Sequence, residues 1–261
     1  MSLRGGAFSG GVAAALVVSG WAGSAEAIKR RFEPTDLELE EPGTAQIDAQ
    51  LGFVQSDGPG RLVVPDAEID VGLSSNVELD VDFTFGVEGP PTGKFRLDHT
   101  TTDNTWLAAK LGLYDAVEPV TGYAWAVGLQ LGPKLPLSRD AHGIGYEALL
   151  LVGRNMKSLR LGLNAGALAD PGPEIARGRP LGGVLGLDVE WDVTGDFAVL
   201  GELGAVYYFS GDPNELAATL GLQYSPTDDM DLSVIGLVGL PPGSDRYGVL
   251  VGLARRFHLW R

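Results

Sequence analysis

At 261 residues, the chain has room for one large all-β domain or two smaller ones. It contains no cysteine, which excludes a thiolate metal site, a disulfide framework and a lipid-modified cysteine anchor. The formal net charge of −15 speaks against nucleic acid and against docking on an anionic membrane surface, because no basic stripe exists to replace phosphate counterions.

The amino terminus reads as a secretory signal over residues 1–27. Arg4 marks a charged start, residues 12–18 form an apolar run, and Ala25-Glu26-Ala27 has the small-x-small form of a cleavage site. That run falls well short of the roughly 20 residues a spanning helix needs, and no longer apolar stretch follows. A closed β-barrel is then the architecture left for a membrane-embedded chain. Residues 28–43 carry Lys29-Arg30-Arg31 and an acidic run ending at Glu41-Pro42-Gly43. They read as a leader that is either a solvated tail, the reading preferred here, or a plug of the lumen.

Residues 61–88 read as one long hairpin. Val63, Pro65, Ala67, Ile69, Val71 and Leu73 alternate with Val64, Asp66, Glu68, Asp70 and Gly72. After the polar turn Ser74-Ser75-Asn76, the run Val77, Leu79, Val81, Phe83, Phe85 and Val87 alternates with Glu78, Asp80, Asp82, Thr84, Gly86 and Glu88. Strand side chains point alternately to opposite faces, so the ribbon has one apolar and one acidic side. Each arm reaches the roughly 9–11 residues of a tilted membrane-crossing strand. A surface hairpin of a soluble β-sandwich would share the alternation.

Repetition decides for the barrel. From Thr44 onward about twelve strand candidates follow, near 44–55, 61–73, 77–88, 105–113, 122–134, 144–154, 157–169, 181–192, 197–208, 214–225, 230–240 and 245–260. The number is even, and tight turns after the second, sixth, eighth and tenth candidates alternate with longer connections. That is the periplasmic-turn and extracellular-loop asymmetry of outer-membrane barrels. The connection after the fourth candidate, near 114–122, is longer than this rule asks. The expectation is an all-β, transmembrane up-and-down antiparallel β-barrel over residues 44–261.

The apolar faces support it. Leu181, Leu185, Leu187 and Trp191, then Leu216, Leu220, Leu222 and Tyr224, form lipid-suited stripes. Trp106, Tyr123, Trp125, Trp191, Tyr207, Tyr208, Tyr224 and Tyr247 lie near strand ends, where interfacial girdles belong. The last strand is rich in aromatics and suits barrel closure and handling by the barrel-assembly machinery, although Arg261 follows Trp260.

The opposite faces carry Asp66, Glu68, Asp70, Glu78, Asp80, Asp82, Lys110, Lys134, Arg160, Asp188, Glu190 and Glu202. A Lys or Arg facing lipid at mid-depth costs about 2–4 kcal/mol, so these charges are expected to line the lumen. The lumen is then either an open conduit or a salt-bridged, filled scaffold.

The segments PDAEIDVGLSSNVELDVDF, DNTWLAAKLGLYD, LQLGPKLP, RLGLNAGAL and FAVLGELGAVYYF resemble the outer-membrane β-barrel transporter family of the MetA-pathway-of-phenol-degradation type. The resemblance spreads over most of residues 44–260 in short, degenerate motifs. It implies transport of small solutes, including aromatic or hydrophobic compounds, across the outer membrane of a Gram-negative bacterium, with outer-membrane lipid as the surroundings.

Catalysis has little support. His99, flanked by Asp98 and Asp103, could sit in a hydrolase-like arrangement at the barrel mouth, but such sites are recognised by geometry. The three histidines match no zinc spacing, no calcium loop is present, and the glycines recur as strand residues rather than as a phosphate loop. The expectation is no catalytic residue, no metal and no cofactor. The alternatives kept beside the channel are a plugged structural or surface-display barrel and an outer-membrane hydrolase.

Overall fold

The computed structural model describes residues 39–56, 60–89, 100–102, 105–138, 141–172, 180–209, 213–240 and 244–260. The expected signal peptide, the leader before Leu39, and Asp98, His99 and Asp103 lie outside them.

The alternating segments form strands. Among the described residues these are β1 (Thr44–Gln55), β2 (Gly60–Ser74), β3 (Val77–Gly89), β4 (Thr100–Thr102), β5 (Thr105–Val117), β6 (Ala124–Leu135), β7 (Gly145–Met156), β8 (Leu159–Ala169), β9 (Leu181–Thr194), β10 (Phe197–Tyr208), β11 (Glu215–Thr227), β12 (Met230–Gly239) and β13 (Tyr247–His258). Twelve of them are long and pair antiparallel with their sequence neighbours. The three-residue β4 pairs with β3, from Val87↔Thr100 to Phe85↔Thr102. The first strand pairs with both β2 and β13, so the sheet closes and leaves no long edge. The result is the expected up-and-down transmembrane barrel, whose backbone polar groups are satisfied between strands.

Turns of two residues join β2 to β3, β7 to β8, β9 to β10 and β11 to β12. These lie at the end of the barrel where Thr44 pairs with His258. The joint after β5 is shorter than the sequence suggests, because β5 runs on to Val117 and pairs there with Ala124. The β7–β8 turn also moves. It is placed on Lys157 and Ser158 rather than on Asn155 and Met156, with Lys157 at φ 56°, the left-handed conformation that two-residue hairpins favour.

Parity breaks at one place on β2. Val64 and Pro65 have no ladder partner, while Gln50 pairs with Asp66 and Gly52 with Val63. Proline has no N–H to give a ladder, and a bulge of this kind reverses the facing of the residues beyond it. Val63 therefore turns inward, 3% exposed, against Val54 and Leu250, and Val64 turns outward. This corrects the expected facing of both.

A second break lies on β5, where a register shift between Gly112 and Tyr114 leaves Leu113 and Tyr114 both exposed; over the middle of the other strands alternation holds. Leu185, Leu187, Leu203, Leu222, Val234 and Val251 are exposed on the outer surface. Trp125, Trp191, Tyr207, Tyr224 and Tyr247 are exposed as a girdle requires. Trp106 and Tyr208 are not part of it. Trp106 is buried beside Ala108, Leu149, Leu151, Leu168 and Val184, with Val206 and Tyr208 packed against that cluster.

Candidate functional site

The inner wall is the site that this fold builds. Its densest part is the sector of β1, β2 and β3. In register, Asp48 stands beside Glu68 and Gln46 beside Asp70, while Glu68 faces Asp82 and Asp70 faces Asp80. Asp48, Glu68, Asp70, Glu78 and Asp80 are all buried. Directly opposed like charges destabilise a strand pair, so this arrangement is maintained against a local cost. The carboxylates are held by polar neighbours. Gln46 Nε2 donates to Asp48 Oδ2 at 3.0 Å, and Gln130 Nε2 donates to Asp80 Oδ2 at 2.7 Å. Gln130 reaches over from β6 because the β5 residue beside Asp80 is the small Ala108. Thr84 donates its hydroxyl to Asp66.

Each of the expected cations stands against carboxylates. Lys110 Nζ lies 3.2 Å from Glu78 Oε1, with both side chains fully buried. Lys134 Nζ lies 2.8 Å from Glu147 and 3.0 Å from Asp170. Arg160 Nη2 lies 2.7 Å from Glu190 and 3.3 Å from Asp192. The remaining expected residues, Asp188 and Glu202, face one another across β9 and β10 and are both buried. A Cβ at Gly162 would run into the Asp188 carboxylate, so the missing side chain there makes room for this acid.

Several inner-wall residues escaped the sequence reading: Gln46, Asp48, Glu147, Asp231 and the Tyr208–Asp170 pair, whose hydroxyl-to-carboxylate distance is 2.8 Å. The signal was available for two aromatics. Trp106 is four residues from Lys110 and Tyr208 six from Glu202, so each shares the inward parity of a charged residue. Tyr208 crosses over Gly182 on β9 to reach Asp170 at the end of β8. The inner wall thus combines an acidic sector with an apolar patch centred on Leu149 and Leu151.

Of the leader, Glu40 and Gly43 are seated on the barrel rather than solvated, while Glu41 and Pro42 stay exposed. Glu40 is 3% exposed, its N–H donates to the Glu78 carboxylate, and its own carboxylate lies 3.0 Å from Arg256 Nε. Gly43 N–H donates to Gly72 O at 2.9 Å. A Cβ at Gly72 would collide with the backbone of Glu40 and Glu41, so the tail seats only because that wall position is bare.

No family model matches the chain, and no curated protein matches its sequence. Solved structures do match in fold. The chain superposes on the COG4313 outer membrane channel from Pseudomonas putida F1 with a TM-score of 0.60 at 11% identity, covering 87% of this chain and 100% of that one. It superposes on the NanC porin with a TM-score of 0.59 at 11% identity, covering 80% and 98%. For the KdgM porin the values are 0.50, 14%, 82% and 99%. The fold is that of outer-membrane barrels.

Proposed function

We propose that this chain is a passive outer-membrane channel for small solutes, and that the solutes include aromatic or hydrophobic compounds without negative charge. The observation that carries the reading is the composition of the inner wall. An acidic sector on β1–β3 coexists with an apolar patch of Trp106, Leu149, Leu151, Leu168 and Val184. Carboxylates along a passage attract cations and repel anions. An apolar strip beside them, closed at 0–5% exposure in this packing, would offer a ring or a hydrocarbon a surface that a uniformly polar wall would not once the packing over it opens. The resemblance to an outer membrane channel and to porins favours the same class.

The test is conductance of the purified protein in a planar bilayer, joined to uptake by proteoliposomes of a neutral aromatic compound and of a sugar of similar size. Measurable conductance with faster aromatic uptake supports the proposal, and Leu149→Asn should remove that advantage while leaving conductance. One observation favours a second reading, a filled structural barrel: Lys110, Glu78, Asp70, Leu149 and Leu151 are all 0% exposed, so both the acidic sector and the apolar patch are tightly packed. Absence of both conductance and uptake would select the scaffold.

A further inference from the structure

Every described strand keeps its outward face free of charge except at two places, Arg154 on β7 and Arg255 on β13. Both lie toward the short-turn end. Arg255 is exposed, sits 5.4 Å over the Phe257 ring, and is flanked in register by Met230 and Ile47. The next outward row toward the middle of the barrel runs Phe197, Tyr224, Leu232, Leu253 and Ala49. Phe197 and Tyr224 stack at 4.7 Å and 25°, and together they raise a wall at one end of the row. Ala49 leaves the other end low. Between them opens an external groove of about 640 Å³, lined almost entirely by apolar atoms and continued by a second aliphatic row.

A convex barrel surface does not need such a groove, and Arg255, the next outward residue after the groove-lining Leu253 on β13, stands one row beyond it toward the short-turn end. We infer that β10–β13 and β1 form a specific site for one diacyl phospholipid of the periplasmic leaflet, with a hydrocarbon chain in the groove and the phosphodiester on Arg255. Short turns mark the periplasmic end of such barrels, which puts Arg255 at headgroup depth and the groove in the hydrocarbon region. An arginine near the interface extends its charged head toward the headgroups while its stem packs on apolar surface. Its planar fork suits phosphate oxygens. Charge and shape here ask for the two halves of one molecule. A free phosphate would leave the groove empty, and a lipid without phosphate would leave Arg255 unused.

The test is native mass spectrometry of the detergent-purified full chain, titrated separately with phosphatidylglycerol, phosphatidylethanolamine, diacylglycerol of matched chains, and inorganic phosphate. The wild type should retain one phospholipid of either headgroup, and neither diacylglycerol nor phosphate alone. Ala49→Phe, or Leu232→Trp should the first fail to fold, fills the groove and should abolish retention. Folding is read from the different gel mobility of unheated and boiled protein. Arg255→Gln should weaken phospholipid binding about tenfold, as expected for losing one charge-assisted contact, whereas Arg154→Gln should leave it unchanged. Equal retention of phospholipid by wild type and groove-filled variants overturns the site. So does equal binding of diacylglycerol, or a dimer that Ala49→Phe converts to monomer, which would make the groove an interface between copies.

Discussion

Lys110 and Glu78 face each other across the β5–β3 ladder, 3.2 Å apart and both wholly buried. The pair shows how this wall manages charge: the strand next to the acidic sector supplies one cation at the point where the carboxylates are most enclosed. Removing one partner of a buried pair leaves an uncompensated charge and costs about 3–5 kcal/mol. Lys110→Met should therefore lower the stability of the folded barrel by that order in denaturant titrations in detergent. The double variant Lys110→Met with Glu78→Leu should recover part of the loss. A single variant as stable as the wild type would show that the pair carries little energy.

The acidic sector should set ion selectivity. Glu78 is neutralised by Lys110, so Glu68, Asp70 and Asp80 are the informative positions. The triple variant Glu68→Gln, Asp70→Asn, Asp80→Asn should lower cation preference in reversal-potential measurements at low salt. The difference from wild type should shrink as salt shortens the screening length from about 10 Å at 0.1 M to about 3 Å at 1 M. Unchanged selectivity in a conducting triple variant would mean that ions pass elsewhere.

Glu40 ties the leader to the barrel through Arg256 and Glu78. Glu40→Ala removes a hydrogen-bonded ion pair at a buried position and should cost about 1.5–3 kcal/mol, as for hydrogen bonds to charged groups. Gly72→Val acts on the same contact from the other side, since its side chain would occupy the backbone path of Glu40 and Glu41. Protease treatment of folded protein should cut near residue 41 faster in both variants than in wild type. If neither variant changes the cleavage rate, the tail is not held by these contacts.

At the short-turn rim, Glu118 joins three groups. It accepts from the Thr121 hydroxyl at 2.8 Å, from Trp125 Nε1 at 3.3 Å and from Arg154 Nη2 at 3.3 Å, and Arg154 lies 4.3 Å over the Trp125 ring. These contacts, led by the Thr121 hydrogen bond and then those from Trp125 and Arg154, hold its carboxyl below the ordinary glutamate value of 4.5. A depressed carboxylate favours the folded arrangement above the ordinary value, and that contribution is lost as pH falls through the lower folded value. Trp125 fluorescence should therefore be constant above pH 4.5 and change on further acidification, and Glu118→Gln should remove the transition. A transition of unchanged midpoint in Glu118→Gln would assign it to another group.

The architecture was legible in the chain because a strand has a side-chain period of two. Alternation over long segments separates lipid face from inner face. Short turns alternating with longer loops order the strands up and down, and neither requires knowing which residues touch. This is why Asp66, Glu68, Asp70, Glu78, Asp80, Asp82, Lys110, Arg160 and Glu202 could be assigned to one face from sequence alone. What alternation cannot supply is the offset between neighbouring strands. Register alone decides that Lys110 meets Glu78, that Gln130 spans Ala108 to reach Asp80, and that Arg160 meets Glu190. It also aligns Phe197, Tyr224, Leu232, Leu253 and Ala49 into one row beneath Arg255. Two further features were decided by local backbone events. The bulge at Val64 and Pro65 exchanged the facing of Val63 and Val64, and the bare wall at Gly72 admitted the leader. In a closed barrel every strand borrows its register from two neighbours, so contacts between residues far apart in sequence arise only once the ring is complete.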